Sequence, residues 1–157
     1  MPTLETEFLY TMRVKIDPVY DLGLTPNGRR LVAMVGGGTF EGPRMKGIML
    51  PLSGADWALD RPDGSSILDV RVNLRTDDGA DVLMTSLGYM VAHGEDYAYA
   101  LDFAKPDDPE GASRYYFRTS PRYETSDARY AWLNHTVAAA KGRTGNGGVI
   151  YDVFAVL

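Results

Sequence analysis

Asp56 follows the turn Ser53-Gly54-Ala55 and stands directly before Trp57. A carboxylate beside a large apolar ring is a candidate general base, because an apolar neighbour disfavours the ionised form and lifts the pKa toward neutrality. The same side chain could instead close an Asx-turn, and Trp57 could line a cavity or the core. Asp69 and Arg71 lie two residues apart, on one face of a strand. There Arg71 could hold an anionic group or an enolate oxygen while Asp69 orients it. The competing reading is an ion pair on an outer face, and alternation favours it, because Leu68, Val70, Val72 and Leu74 make the opposite face apolar. Glu124 is a second candidate base. Tyr116 shares a face with Arg118, so a phenol and a guanidinium could together hold an oxyanion. Asn134, two residues after Trp132, could offer an amide to a ligand carbonyl. These polar groups could equally form a network that pins their own segment. Glu41 and Lys46 bracket Gly42-Pro43 and could meet across a hairpin. A lysine in a barrel can bind a phenolate or form a Schiff base; the alternative is a surface pair worth about 0–1 kcal/mol. The expected catalytic set is Asp56, Arg71, Glu124 and Tyr116. The expected substrate-binding set is Trp57, Arg118, Asn134, Lys46, Glu41 and Trp132. No cofactor is expected.

Other chemistries find little support. His93 and His135 are the only histidines and have no ligand-like spacing with each other or with carboxylates, which argues against a metal site. No G-x-S-x-G nucleophile motif is present. Gly36-Gly37-Gly38 is followed by Thr39-Phe40-Glu41-Gly42-Pro43 rather than by a helix start, so a phosphate loop is disfavoured and a strand bend or bulge preferred. The net charge of −5 with both signs mixed argues against a nucleic-acid partner. Absence of cysteine excludes disulfides and thiolate chemistry. MPTLETEF has neither a basic nor an apolar leader-like stretch, no run is long enough to span a bilayer, and cytoplasm is the default compartment.

The elements that must position these residues are strands. The 157 residues suit one domain spanning 1–157, and an apolar share of 45% permits a real core. Strands are expected over residues 4–16, ended by Asp17-Pro18, then over 30–35, 44–50, 57–59, 67–76, 80–92 and 149–157. Asp77-Asp78-Gly79 is expected as a hairpin turn. Tyr115–Asn134 reads as strand, turn, strand: Ser120-Pro121 breaks it and Thr125-Ser126-Asp127 turns it. Its interleaved rings and charges suggest one wall of a ligand cavity. Helix is nearly absent: about a turn over 127–132, a short helix or strand over 97–103, and a strand preferred over 136–141. Residues 107–111 and 142–148 are expected to be loops. Eight or nine strands at this spacing fit an all-β sandwich or barrel, and an eight-stranded barrel can enclose one small ligand.

RRLVAMVGGGTFEGPRMKG (29–47), GADW (54–57), RPDG (61–64), LDVRVNLRTDDGA (68–80) and YYFRTSPRYETSDARYAWLN (115–134) together resemble the domain-of-unknown-function family DUF3237, the UPF0311-type proteins. The resemblance spans nearly the whole chain. It implies an antiparallel eight- to nine-stranded barrel, similar to allene oxide cyclase and lipocalin-like in outline. It implies cofactor-free isomerase, cyclase or lyase chemistry on a small organic molecule, some fungal members being chalcone-isomerase-like, and it favours a functional role for Asp69 and Arg71. The chain departs from the family's pattern at Ser53, where a second glycine is usual, and at Tyr123, where phenylalanine is usual. Tyr123 would add a hydroxyl to any pocket it faces.

Three functions follow as expectations. The first is an isomerase or cyclase moving a proton with a carboxylate on an aromatic or polyketide-like carbonyl compound in the lumen. The second is a non-catalytic small-molecule-binding barrel, and the third a structural subunit with a filled lumen. A carboxylate inside the pocket separates the first from the second. Homo-oligomerisation is tied to orientation: if Arg71 points inward, an apolar outer face must be covered.

Overall fold

The computed structural model describes residues 1–157. Nine strands follow in order: β1 (Thr6–Thr25), β2 (Gly28–Glu41), β3 (Lys46–Met49), β4 (Ala55–Asp60), β5 (Ser65–Thr76), β6 (Asp81–Val91), β7 (Tyr116–Glu124), β8 (Ala138–Gly145) and β9 (Gly148–Val156). All pairings are antiparallel and the sheet closes on itself: β1 pairs β9, then β8, β7, β6 and β5 follow. The short strands β3 and β4 together make one stave. β3 bridges the C-terminal half of β2 to that of β5, and β4 bridges their N-terminal halves. The β1–β2 pairing completes the ring, so every strand has a neighbour on both sides over at least part of its length. The expected all-β barrel with little helix is the observed architecture.

Alternation sets the inner face throughout. On β5, Leu68, Val70, Val72 and Leu74 are buried while Arg71, Asn73 and Arg75 are exposed. Met12 and Val14 of β1, Val82, Met84 and Met90 of β6, Phe117 and Tyr123 of β7, and Val149 and Val153 of β9 are buried likewise. Two extended strands ran further than expected. β1 continues through Asp17-Pro18 because it pairs β2 on both sides of them, with register shifts around Ile16 absorbing the irregularity. The glycine triplet lies inside β2 opposite those shifts. A Cβ on Gly38 (φ +156°) would sit 2.2 Å from the Arg13 carbonyl oxygen, so only glycine permits that approach.

Pro121 does not break β7. It pairs Ser86 on β6, while on the β8 side the ladder is confined to Arg118–Lys141 and Thr119–Ala140. Proline is tolerated where its missing N–H has no ladder to serve. Residues 142–148 form the β8–β9 hairpin rather than a free loop. The helix α1 (Glu95–Leu101) and the 3₁₀ segment Ala128–His135 account for most of the helix. No helix is long and apolar enough to cross a membrane.

The two halves of the barrel differ. Toward the end of β7, Tyr10, Phe40, Leu74, Val82 and Leu133 fill the interior, each at most 1% exposed. The Tyr10 and Tyr123 hydroxyls share a 2.5 Å hydrogen bond there, so the extra hydroxyl of Tyr123 is spent in the core. The other half is hollow, and α1 with Phe103 lies over it.

Candidate functional site

The hollow half is a cavity of about 90 Å³. One water needs roughly 10–15 Å³ of such space, so the cavity has room for a compact organic molecule. Its wall comes from almost every stave: Val14 and Ile16 of β1, Leu31, Ala33 and Val35 of β2, Leu68, Val70 and Val72 of β5, Met84 and Met90 of β6, Phe117 of β7 and Val149 of β9. Met12 and Met49 form its floor above the packed half, and Leu101 and Phe103 its cover.

Few polar groups enter this lining, and they fall at two places. The deeper place holds Asp56 and Tyr151. Asp56 stands on β4, where the register opposite Ala33 and Val70 turns it inward among methyl groups. One carboxylate oxygen accepts the Asp69 backbone N–H at 3.0 Å. Burial lifts its pKa to about 6, the bond from Asp69 opposes the rise, and the charges of Asp69 and Asp60 add to it. Tyr151 stands on β9 opposite Met12 and Gly142. Burial raises its phenol well above the ordinary value, the charge of Asp56 raises it further, and no hydrogen bond contributes. Phe117 stacks on Tyr151 with ring centroids 5.4 Å apart. The stack needs a glycine at 142, where an added Cβ would fall 1.5 Å from the Phe117 ring.

The second place lies under α1. Asp60 accepts a hydrogen bond from Ser66 at 2.6 Å and from the Tyr97 hydroxyl of α1 at 3.3 Å. Thr144 completes the polar lining, its hydroxyl donating to the Ala100 carbonyl at 2.7 Å and accepting from Lys105 at 2.5 Å. Beside the floor, a void of about 10 Å³ is shared by Met12, Val70, Met84 and Tyr151 with Ser86 and Thr119. The Thr119 hydroxyl is buried without a hydrogen-bond partner.

Of the ten residues expected to do chemistry, the cavity takes in Asp56. Arg71 is exposed on the outer face of β5, beside Ala55 and Thr85, because its even-numbered neighbours occupy the lumen. It cannot hold an enolate inside. With Arg71 outside, the argument that an apolar outer face must be covered by a second copy lapses. Tyr116 (52% exposed) and Arg118 share a face as expected, the guanidinium 5.1 Å from the ring centroid, but that face is the outer one. Arg118 donates to the Phe117 carbonyl at 2.9 Å. Glu124 ends β7 in a shallow surface recess with Arg75, Asp81 and Ser126. Trp57 is on the outer face of β4, 41% exposed. Asn134 clamps one turn, accepting the Thr125 N–H at 2.8 Å and donating to the Thr125 carbonyl at 3.0 Å. Trp132 packs under Arg44, whose guanidinium lies 3.7 Å from the ring centroid. Glu41 and Lys46 are cross-strand partners, yet Lys46 pairs with Asp77 at 3.7 Å, on the surface.

The expected cavity wall from 115 to 134 therefore contributes Phe117 to the main cavity, with Thr119 and Pro121 on the small void. Sequence reasoning passed over Tyr151, Asp60 and Ser66. Tyr151 carried a signal: it is the lone polar-tipped residue on the inner alternation Val149, Tyr151, Val153, Ala155. Ser53, suspected of loosening its turn, ties it: its hydroxyl donates to the Leu50 carbonyl at 2.6 Å and accepts the Asn73 N–H at 3.1 Å. No group of three or more His, Asp or Glu side chains is placed to hold a metal ion.

Comparison with known proteins places the barrel among relatives. A UPF0311 protein of Rhodopseudomonas palustris is 33% identical over 156 residues, covering 99% of both chains, and one of Bradyrhizobium diazoefficiens is 31% identical over the same span. A solved R. palustris protein of unknown function superposes with a TM-score of 0.89 at 31% identity, covering 100% of both chains. A β-barrel-like protein of Acinetobacter baumannii superposes at 0.83 with 36% identity, covering 100% of this chain and 98% of that one. A Penicillium herquei protein described as an enzyme shares the fold, with a TM-score of 0.74 at 20% identity over 100% of this chain and 98% of its own. The profile of the family described as "Protein of unknown function (DUF3237)" matches residues 4–156, and the chain belongs to that family.

Proposed function

We propose that the barrel is a cofactor-independent proton-transfer catalyst, an isomerase, cyclase or lyase, acting on a small carbonyl compound bound in the lumen. The observation that carries this is Asp56: an inward carboxylate with one oxygen committed to a backbone N–H, lifted to about pH 6 by burial. A base with a pKa near the working pH is ionised enough to accept a proton and basic enough to take one from carbon. Tyr151 is its complement. A phenol kept neutral by burial, with no protein partner, can donate to the carbonyl oxygen and stabilise the enolate that forms as Asp56 takes the adjacent C–H proton. The proton on Asp56 then returns to a different carbon of the delocalised enolate, which makes the net change an isomerisation; where the enolate carbon instead adds to a second carbonyl of the same molecule, the proton goes to the alkoxide so formed and the net change is a ring closure. The apolar wall excludes water from both steps. This revises the expected catalytic set: the carboxylate role stays with Asp56, and the oxyanion role passes from Arg71 and Tyr116 to Tyr151.

The test is deuterium exchange at the carbon beside the carbonyl of simple aryl ketones in heavy water, followed by NMR. The protein should accelerate exchange, with a rate that rises through about pH 6 and then levels. Asp56→Asn should lose roughly 10²–10⁴-fold, the usual worth of a positioned base. Ketone binding without any exchange, or equal exchange by Asp56→Asn, would assign the barrel to carriage of small molecules. That second reading has its own support, since 19 of the 23 lining residues are hydrophobic.

A further inference from the structure

We infer that this cavity selects against anions: its ligand is an uncharged, compact, mostly apolar molecule with one polar group, and carboxylates or phosphates of the same size are rejected. This rests on the cavity being the ligand site of the function proposed above, and it concerns which molecules enter rather than what happens to them.

The argument is the charge of the wall. Two carboxylates, Asp56 and Asp60, line the cavity and no lysine, arginine or histidine does. The cations in the neighbourhood are committed elsewhere. Arg29 is the cross-strand partner of Asp60, but its guanidinium is exposed and pairs with Asp21. Lys105 reaches Thr144 from behind the wall and is held there by the Asp102 carbonyl at 3.0 Å and the face of Tyr99 at 4.6 Å. The Arg143 guanidinium is spent on Asp107 and Asp152. A carboxylate entering the lumen would therefore lose its hydration and meet like charge with no counter-ion. Like charges brought close together in a low-dielectric lumen repel strongly, and desolvation adds to that.

A cationic ligand is disfavoured for a different reason. Asp60 is already satisfied by Ser66 and Tyr97, and Asp56 by Asp69 on one oxygen. What remains is a single free carboxylate oxygen amid methyl groups, too little to replace the water shell of an ammonium ion. An uncharged carbonyl compound loses far less on desolvation, and the Tyr151 hydroxyl lacks a partner that such an oxygen supplies.

Three ring compounds of matched size test this by calorimetry at about pH 8, where benzoate is an anion and benzylamine a cation: acetophenone, benzoate and benzylamine. Acetophenone is expected to bind, with each charged probe weaker by about tenfold or more. Asp56→Asn, which keeps an oxygen for the Asp69 N–H, should narrow the gap between acetophenone and benzoate several-fold. Asp60→Asn is the second variant should the first not fold, and should narrow it in the same direction. Benzoate binding as tightly as acetophenone, tightest binding by benzylamine, or no binding by any of the three overturns the inference. The readout is binding alone. A barrel that binds acetophenone selectively but exchanges no proton refutes the catalytic proposal and leaves this one standing; exchange on ketones together with tight benzoate binding does the reverse.

Discussion

Asp56 has the unusual sign of a raised carboxyl. The native state binds its proton more tightly than the unfolded chain does, so native stability is favoured below the ordinary carboxylate range near 4 and that advantage is lost as pH rises through about 6. The rise of roughly two pH units corresponds to at most about 3 kcal/mol. Asp56→Asn removes the ionisation while keeping the acceptor for Asp69. Its stability relative to the parent chain should grow between about pH 4 and pH 6 and then level off, which urea denaturation at several pH values measures. A pH-independent difference would mean that Asp56 is well solvated in the native state. Such a residue is stable to keep only if it does something: replacing it is expected to strengthen the fold and weaken the activity, a trade-off familiar at functional sites.

Strands place these residues, and small features decide whether they do so accurately. Tyr151 is held by its stack on Phe117, and Phe117 lies where the side chain of residue 142 would otherwise be. Gly142→Ala should force that ring aside, costing about 1–3 kcal/mol as overpacking does. It should also weaken acetophenone binding more than an equally destabilising change in the packed half. Equal binding per unit of lost stability would show that the Phe117–Tyr151 stack does not position the phenol. The segment 115–134 teaches the converse. Its rings and charges are dense, yet strict alternation along β7 sends Phe117, Thr119, Pro121 and Tyr123 inward and Tyr116, Arg118, Arg122 and Glu124 outward. The density marked a strand with two busy faces, and only its inner face meets the lumen.

The molecule as a whole is a barrel packed at one end and hollow at the other. This asymmetry predicts how substitutions of the same kind differ by position. Leu74 is fully buried in the packed end and Leu68 lines the cavity. Leu74→Ala should cost about 2–5 kcal/mol, whereas Leu68→Ala should cost distinctly less, because part of the Leu68 side chain already faces open space. Chemical denaturation of both variants checks this, and equal costs would mean that the hollow half closes in solution.

The all-β class, most strands and the alternation that puts Arg71 outside were legible, since each follows from residues within a few positions of one another; the continuation of β1 through Asp17-Pro18, of β7 through Pro121 and of the β8–β9 hairpin over 142–148 was not, because there the partner strand decides. The alternation on β5 favours an exposed Arg71, whereas the family resemblance favours a functional one, and the alternation is what the barrel obeys. Asp56 was legible as a carboxylate beside a turn. Its inward direction was not, because a strand as short as β4 takes its facing from the two long strands it bridges. The partnership of Asp56 with Tyr151 could not be read at all. The two lie 95 positions apart on β4 and β9, and closure of the ring alone brings the inner faces of those strands around one cavity. Nor does composition say which half of a barrel fills: that depends on how the volumes of Tyr10, Phe40 and Tyr123 add up at one end and those of Ala33, Ala58 and Val70 at the other, a sum over residues that meet only when the strands close.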